Sequence, residues 1–243
     1  MINRFKRLLL TAAGIFIAHI LPAQQHQNVW FRETLSIPVN HNLKAEAEFQ
    51  QRRQNGFENN NMFDKTLMYA FRSWLYFQYN ENIKFSVSPF AFFSNYKIIQ
   101  NQADETARPN HEIRLSAAAE LQQPVFRKAS IANRTAAEIR MFQTSQTNMV
   151  RLRNRFTLHY VINNEMGTSL FDELLFNVKG TAIAHFFDHN RTGISLDYKI
   201  SSRVKIDMGY IHIKRLSATD TNVWHENNIF LNGIYVLYIK KRT

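Results

Sequence analysis

Two stretches decide the fold: Glu112-Ile113-Arg114-Leu115-Ser116-Ala117-Ala118-Ala119-Glu120-Leu121-Gln122, and Arg151-Leu152-Arg153-Asn154-Arg155-Phe156-Thr157-Leu158-His159-Tyr160-Val161-Ile162. In the first, Ile113, Leu115, Ala117, Ala119 and Leu121 share one parity, while Glu112, Arg114, Ser116 and Glu120 share the other. In the second, Arg151, Arg153, Arg155, Thr157 and His159 oppose Leu152, Phe156, Leu158, Tyr160 and Ile162. Side chains on an extended chain point to opposite faces in turn, so each stretch makes a strand with one greasy and one charged face. No comparable stretch keeps a 3.6-residue period.

Working outward, the same alternation recurs along most of the chain. Leu43, Ala45, Ala47 and Phe49 interleave with Lys44, Glu46, Glu48, Gln50 and Arg52. Between the alternating segments, short and long connections take turns. Short ones fall near residues 38–42, 80–82, 123–127, 163–168 and 201–203, and longer polar ones near 55–61, 97–109, 143–148, 179–185 and 217–223. A meander with tight turns at one end and longer loops at the other is the layout of outer-membrane barrels. About eleven segments can be counted, and since single-chain bacterial barrels carry an even number, ten or twelve strands are expected. The stretches 179–187 and 217–225 are the hardest to assign.

Alternation does not say which face points inward. Three features favour an apolar exterior. The predicted strands, about 11 to 15 residues, exceed the usual length in globular sheets and suit a tilted membrane crossing. Aromatic residues gather toward segment ends, as with Trp30 and Phe31, Trp74, Tyr76 and Tyr79, Phe92, Phe93 and Tyr96, and Tyr235 and Tyr238, where interfacial girdles lie. The charged face mixes Arg with Glu, which a closed polar interior needs for pairing. The fold expected is all-β, an antiparallel transmembrane β-barrel of about 10–12 strands; an exported soluble β protein is the other reading.

The chain has 243 residues, 20 of them Phe, with 9 Tyr and 3 Trp, a composition that suits pleated surfaces. No linker-like break divides it, so residues 24–243 read as one barrel domain. Residues 1–23 read as a cleaved signal peptide: Arg4, Lys6 and Arg7 precede an apolar run from Leu8 to Leu21, and Pro22-Ala23 offers a cut site. That run is shorter than the roughly 20 residues a spanning helix requires. With no Cys, disulfides and thiolate metal sites are excluded. The formal net charge is +11, of which the leader holds three, leaving +8 on the rest. Those arginines alternate with apolar residues along strands and do not cluster in loops, so nucleic acid is not the expected partner. The outer membrane of a Gram-negative bacterium is the expected location, with its lipid as the surrounding partner.

Several local patterns resemble an uncharacterised family of bacterial outer-membrane barrels, domain of unknown function 2490. They are the early strand with Trp30, Ala45-Glu46-Ala47-Glu48-Phe49, Glu138-Ile139-Arg140, and Arg151-Leu152-Arg153-Asn154-Arg155-Phe156. Asp172-Glu173 follows after a turn, Asn190-Arg191 opens a strand running to Tyr198, and Met208-Gly209-Tyr210 lies in the next. The resemblance implies the barrel and the location; the family supplies no established activity. Many such chains end in an aromatic residue recognised during insertion; this one ends Ile239-Lys240-Lys241-Arg242-Thr243, with Tyr238 as the nearest aromatic.

The candidate site is a lumen-facing charged lattice of Arg134, Glu138, Arg140, Arg151, Arg153, Arg155, Glu173 and Arg191. Arg151, Arg153 and Arg155 should project from one face, roughly 6 to 7 Å apart, with neighbouring strands about 4.8 Å away. Arg–carboxylate pairs across strands follow from that spacing. Glu46, Glu48, Arg52, Arg72, Glu112, Arg114, Glu120 and Asp197 are further inward candidates, and His159 belongs with them. The lattice can rigidify a narrow interior, or its arginines can line a path for small anionic solutes. A closed barrel binding through its longer loops is the alternative, and an outer-membrane hydrolase ranks last. None of the nine His is followed two residues later by Ser, which a phospholipase-like site would need, and Asp188-His189 is a single Asp–His couple. No Gly-rich phosphate loop is present among 7 Gly. His185 and His189 would share a face only on a helix, which the alternation there does not support, so neither a metal nor any other cofactor is expected.

Overall fold

The computed structural model describes residues 26–216 and 223–238. The leader read at 1–23, the connection 217–222 and the tail 239–243 lie outside the described residues. The eleven strands among the described residues are β1 (His26–Pro38), β2 (Leu43–Gln54), β3 (Lys65–Gln78), β4 (Ile83–Asn95), β5 (Asn110–Phe126) and β6 (Ala129–Phe142), then β7 (Met149–Val161), β8 (Met166–Lys179), β9 (Phe187–Lys199), β10 (Val204–Leu216) and β11 (Val223–Val236). Each pairs with its sequence neighbour in antiparallel register, and β1 closes on β11 to complete a barrel.

The expectation of an even strand number is overturned. In an up-and-down meander the direction reverses at every turn, so the first and last of eleven strands run the same way and can close only as a parallel pair. That pair runs from His26↔Glu226 to Ser36↔Val236 without a register break. One turn also differs from its expected place. Residues 123–126, expected as a connection, extend β5 to 17 residues, leaving 127–128 as the turn. The pairing of Pro124 and Phe126 with β6 shifts there, which accommodates a proline that cannot donate to the ladder.

Barrel polarity is inverted relative to a soluble protein. Phe49, Phe71, Phe77 and Phe85 stand on the outer surface, each nearly half exposed, with Leu115, Leu152, Leu158 and Ile194 in the same state. Glu112, Glu138, Glu173 and Glu226 lie inside at 2% exposure or less. Some of the exterior polar groups bond one another across strands. Asn133 and Asn154 exchange bonds of 3.1 Å, and Asp172 accepts from Asn190 at 2.8 Å and Thr192 at 2.9 Å.

The girdle reading of the aromatics holds only in part. Tyr79, Phe92, Tyr235 and Tyr238 are outside, whereas Trp30, Trp74 and Phe93 are buried inside. Trp30 packs with Phe171, Ile211, Ile213 and Phe230, and Phe93 with Met68, Ala70 and Ala91. Phe93 turns inward because the β4–β5 register shifts between Ser88 and Ala91, next to Pro89, and every later side chain of β4 changes face. Space for Phe171 comes from Gly193, where a Cβ would meet Phe171 Cε1 at 2.8 Å and the Tyr210 carbonyl at 2.7 Å.

Candidate functional site

The interior charges form a belt built on four buried carboxylates and Asp188. Glu138 on β6 lies directly opposite Arg151 on β7 and accepts from its Nε at 3.0 Å and its Nη2 at 2.6 Å. Arg153 reaches the other oxygen at 2.8 Å, and Arg114 approaches at 3.5 Å. Arg153 also donates to Glu173 at 2.6 Å, and Arg191 meets the second Glu173 oxygen at 3.4 Å. On the other side, Glu112 takes two guanidinium forks at once. Arg114 donates to it at 2.9 and 3.1 Å, and Arg140 at 2.7 and 2.9 Å. Arg151 continues to Asp188 at 3.0 Å, Arg215 lies between Asp188 and Glu226, and Glu226 accepts from Asn28. The belt thus runs from β5 around to β1. Bidentate arginine geometry makes such a lattice rigid as well as neutralising.

Several lumen arginines rest on aromatic rings instead, and Arg114 does so in addition to its ion pairs. Arg52 stacks on Trp30 at 3.6 Å, Arg155 on Phe171 at 3.7 Å, and Arg114 on Phe93 at 3.9 Å. Arg72 lies 5.1 Å from both Trp74 and Phe93, and Arg134 lies 5.3 Å from Trp74. Among the described residues Arg52, Arg72, Arg134 and Arg155 form no ion pair and no hydrogen bond, and the Nε atoms of Arg52 and Arg72 are fully enclosed. Aromatic faces attract a guanidinium but satisfy none of its five donors.

Between the paired and the stacked arginines lies a cavity of about 190 Å³. Ten arginines line it, with Glu173 as the one carboxylate in its wall. Asn95, Arg140, Arg151, His189 and Arg215 also belong to that wall, and each is within a few residues of a strand end that leads into a long connection. The cavity therefore sits in the half of the barrel nearer those connections. Above it, the 96–109 connection folds over the rim around a 3-10 turn, Gln102–Thr106. Asp104 accepts from the Lys97 ammonium and from the Gln100 and Asn101 amides, and Gln54 donates to the Lys97 carbonyl at 2.9 Å. Glu105 ties this segment to the 55–64 connection by accepting from the Phe57 amide at 2.8 Å.

Of the residues singled out from sequence, the structure brings Glu138, Arg151, Arg153, Glu173 and Arg191 into direct contact. Arg140 joins through Glu112 on β5, not through β7. Arg134 and Arg155 depart from the expected Arg–carboxylate pairing although Glu120 on β5 and Glu173 on β8 stand opposite them. Glu120 is taken by Lys84 and Glu173 by Arg153 and Arg191, and the two guanidiniums lie over Trp74 and Phe171 instead. His159 bonds Ser169 at 3.0 Å near the short-turn end, away from the belt. His185 is half-buried while His189 is buried, and no metal-holding group of three or more His, Cys, Asp or Glu occurs among the described residues. Sequence reasoning did not place Arg215, Glu226, His189 and Trp30 in the interior. Trp30 did carry a signal: it shares parity with Asn28, Arg32 and Thr34.

The sequence profile of a family described as "Protein of unknown function (DUF2490)" matches residues 27–223. Every stretch that carries the resemblance falls inside that span. No curated protein matches the chain.

Proposed function

Because the chain belongs to the DUF2490 family of proteins of unknown function, kinship brings it no activity, and we propose from its geometry that it is an outer-membrane barrel with an occluded lumen. The observation that carries this reading is the inverted polarity, with apolar side chains outside and a nearly unexposed charged belt inside. An aqueous surface bearing so much Phe and Leu would forgo roughly 25 cal/mol for each Å² left uncovered, a loss that lipid removes. Mutual bonding of the exterior Asn, Asp and Thr groups fits the same surroundings, where no water satisfies them.

Occlusion follows from the belt. A water-filled passage would leave Glu112, Glu138 and Glu173 exposed, yet they are 1–2% exposed. The barrel then works at the end carrying the long connections, binding a ligand or surface component there. A narrow anion channel is the second reading, favoured by the ten arginines of the cavity wall. Cell fractionation and planar-bilayer recording of the refolded protein test both parts. Recovery with outer-membrane lipid and no steady conductance is expected. Recovery as a detergent-free soluble protein would remove the membrane reading, and steady anion-selective conductance would replace occlusion with the channel.

A further inference from the structure

The cavity wall has more positive charge than its carboxylates balance. Its ten arginines meet six carboxylates, those of Glu48, Glu112, Glu138, Glu173, Asp188 and Glu226. Arg52, Arg72 and Arg155 belong to the wall and have no protein acceptor, and Arg72 is more than nine-tenths buried. Like charges crowd this region: those acting on Arg52 include Arg191, Arg32 and Arg114. Buried guanidiniums without acceptors are costly, and the donors of several converge on one enclosed space.

An enclosed ring nitrogen without a partner faces the same space. His189 lines the cavity at 1% exposure, and its Nε2 has no hydrogen-bond partner. Its Nδ1 lies 3.2 Å from Asp188 Oδ2. Arg215 Nη1 lies 3.5 Å from the same nitrogen; the tautomer with its proton on Nδ1, toward the nearer Asp188 carboxylate, leaves Nε2 as a lone pair open to a donor. The complement to this wall is an anion rich in acceptor oxygens that also carries one O–H. Carboxylates offer too few oxygens, and sulfate at neutral pH has no proton to donate. The volume admits several water-sized groups, enough for a four-oxygen anion but not for a long oligomer.

We propose that this cavity is a phosphate site, in which Arg52, Arg72, Arg155 and Arg191 bind the oxygens of a hydrogen phosphate or phosphomonoester group and His189 Nε2 accepts its P–OH. Arginine forks match phosphate oxygens in pairs, and the aromatic rings behind Arg52 and Arg155 hold those forks in place. Entry is from the end with the long connections, so the site does not depend on conduction through the barrel.

Calorimetric titration of the refolded full chain in detergent at neutral pH, using inorganic phosphate, sulfate and glucose 6-phosphate, tests the assignment. Phosphate is expected to bind and to raise Tm, with sulfate weaker. Binding of inorganic phosphate alone assigns the free ion, and binding of the sugar phosphate as well assigns a tethered phosphate group. The double variant Arg52→Met/Arg72→Met should weaken phosphate binding by about tenfold or more. It should fold with unchanged or raised Tm in phosphate-free buffer, because neither side chain has a protein acceptor to lose. His189→Phe should bring phosphate and sulfate to equal affinity. Absence of phosphate binding in the folded wild-type chain, or undiminished binding in the folded double variant, overturns the site. Equal affinity for phosphate and sulfate in the wild type overturns the role of His189.

Discussion

At the scale of single residues, the belt contrasts two ways of burying an arginine. Glu138 accepts from Arg151 and Arg153 and faces Arg114. Replacing it by Gln keeps the shape and removes the charge that three guanidiniums share. Breaking a buried pair from one side leaves uncompensated charge, so Glu138→Gln should lower unfolding free energy by about 3–5 kcal/mol. Urea titration of the protein in detergent micelles reads this directly, and a loss below ~1 kcal/mol would show that water reaches the belt. Arg134→Met makes the matching comparison. Arg134 lies near Trp74 and forms no ion pair with Glu120 opposite it, so the change should be neutral or stabilising. Gly193 sets a steric limit on the same interior. Gly193→Val places carbon into the Phe171 ring and the Tyr210 carbonyl, and a loss of about 1–3 kcal/mol in the same titration is expected.

At the scale of elements, the 96–109 connection is organised by two carboxylates outside the strands. Burial acts to raise the Asp104 pKa, but the Lys97 ammonium and the Gln100 and Asn101 amides outweigh it and hold the group below its ordinary value. For Glu105 the Phe57 amide leads in lowering the pKa, with Lys65 adding to it. A depressed folded-state pKa means that the carboxylate stabilises the segment fully above the unfolded value. That contribution is lost as pH falls through the folded value. Hydrogen exchange at the Gln100 and Asn101 amides should therefore stay protected at neutral pH and lose protection as the pH falls below the ordinary aspartate value of 3.8. Asp104→Asn should show weaker protection with little pH dependence. Unaltered protection in that variant would mean that Asp104 does not hold the turn.

The strands themselves were legible because alternation is local: a residue and its second neighbour report one face whatever the rest of the chain does. Cross-strand partners were less so, because pairing depends on turn length and on bulges that shift register without changing composition. Arg155 illustrates this. Its alternation places it inside, and the β7–β8 register sets it opposite Glu173, yet Glu173 bonds Arg153 and Arg191 and the Arg155 guanidinium rests on Phe171. Phe93 was read as a girdle residue because the shift near Pro89, which turns it inward, is a property of two paired strands. Glu226 and Arg215 were missed because they flank a stretch whose polar character reads as loop.

At the scale of the whole molecule, the odd strand number is the feature that alternation alone leaves open. Eleven strands close only if β1 and β11 lie parallel, and their register pairs Asn28 with Asn228 and Thr34 with Ile234. Asn28 donates to Asn228 at 2.9 Å across this seam. The chain has no Cys, so introduced thiols report without background. A short bifunctional thiol reagent should link Asn28→Cys with Asn228→Cys, and Thr34→Cys with Ile234→Cys, each giving a shifted band on denaturing electrophoresis. The mismatched combination of Thr34→Cys with Asn228→Cys should stay unlinked, because residues six apart on extended strands are roughly 20 Å apart along the seam. An antiparallel seam would cross these distances, bringing Thr34 toward residues N-terminal to Ile234 whenever Asn28 moved toward its C-terminal side. Linking at both matched pairs therefore requires parallel closure. Failure of both in a folded protein would open the barrel between β1 and β11, and with it the enclosure that both the charged belt and the cavity depend on.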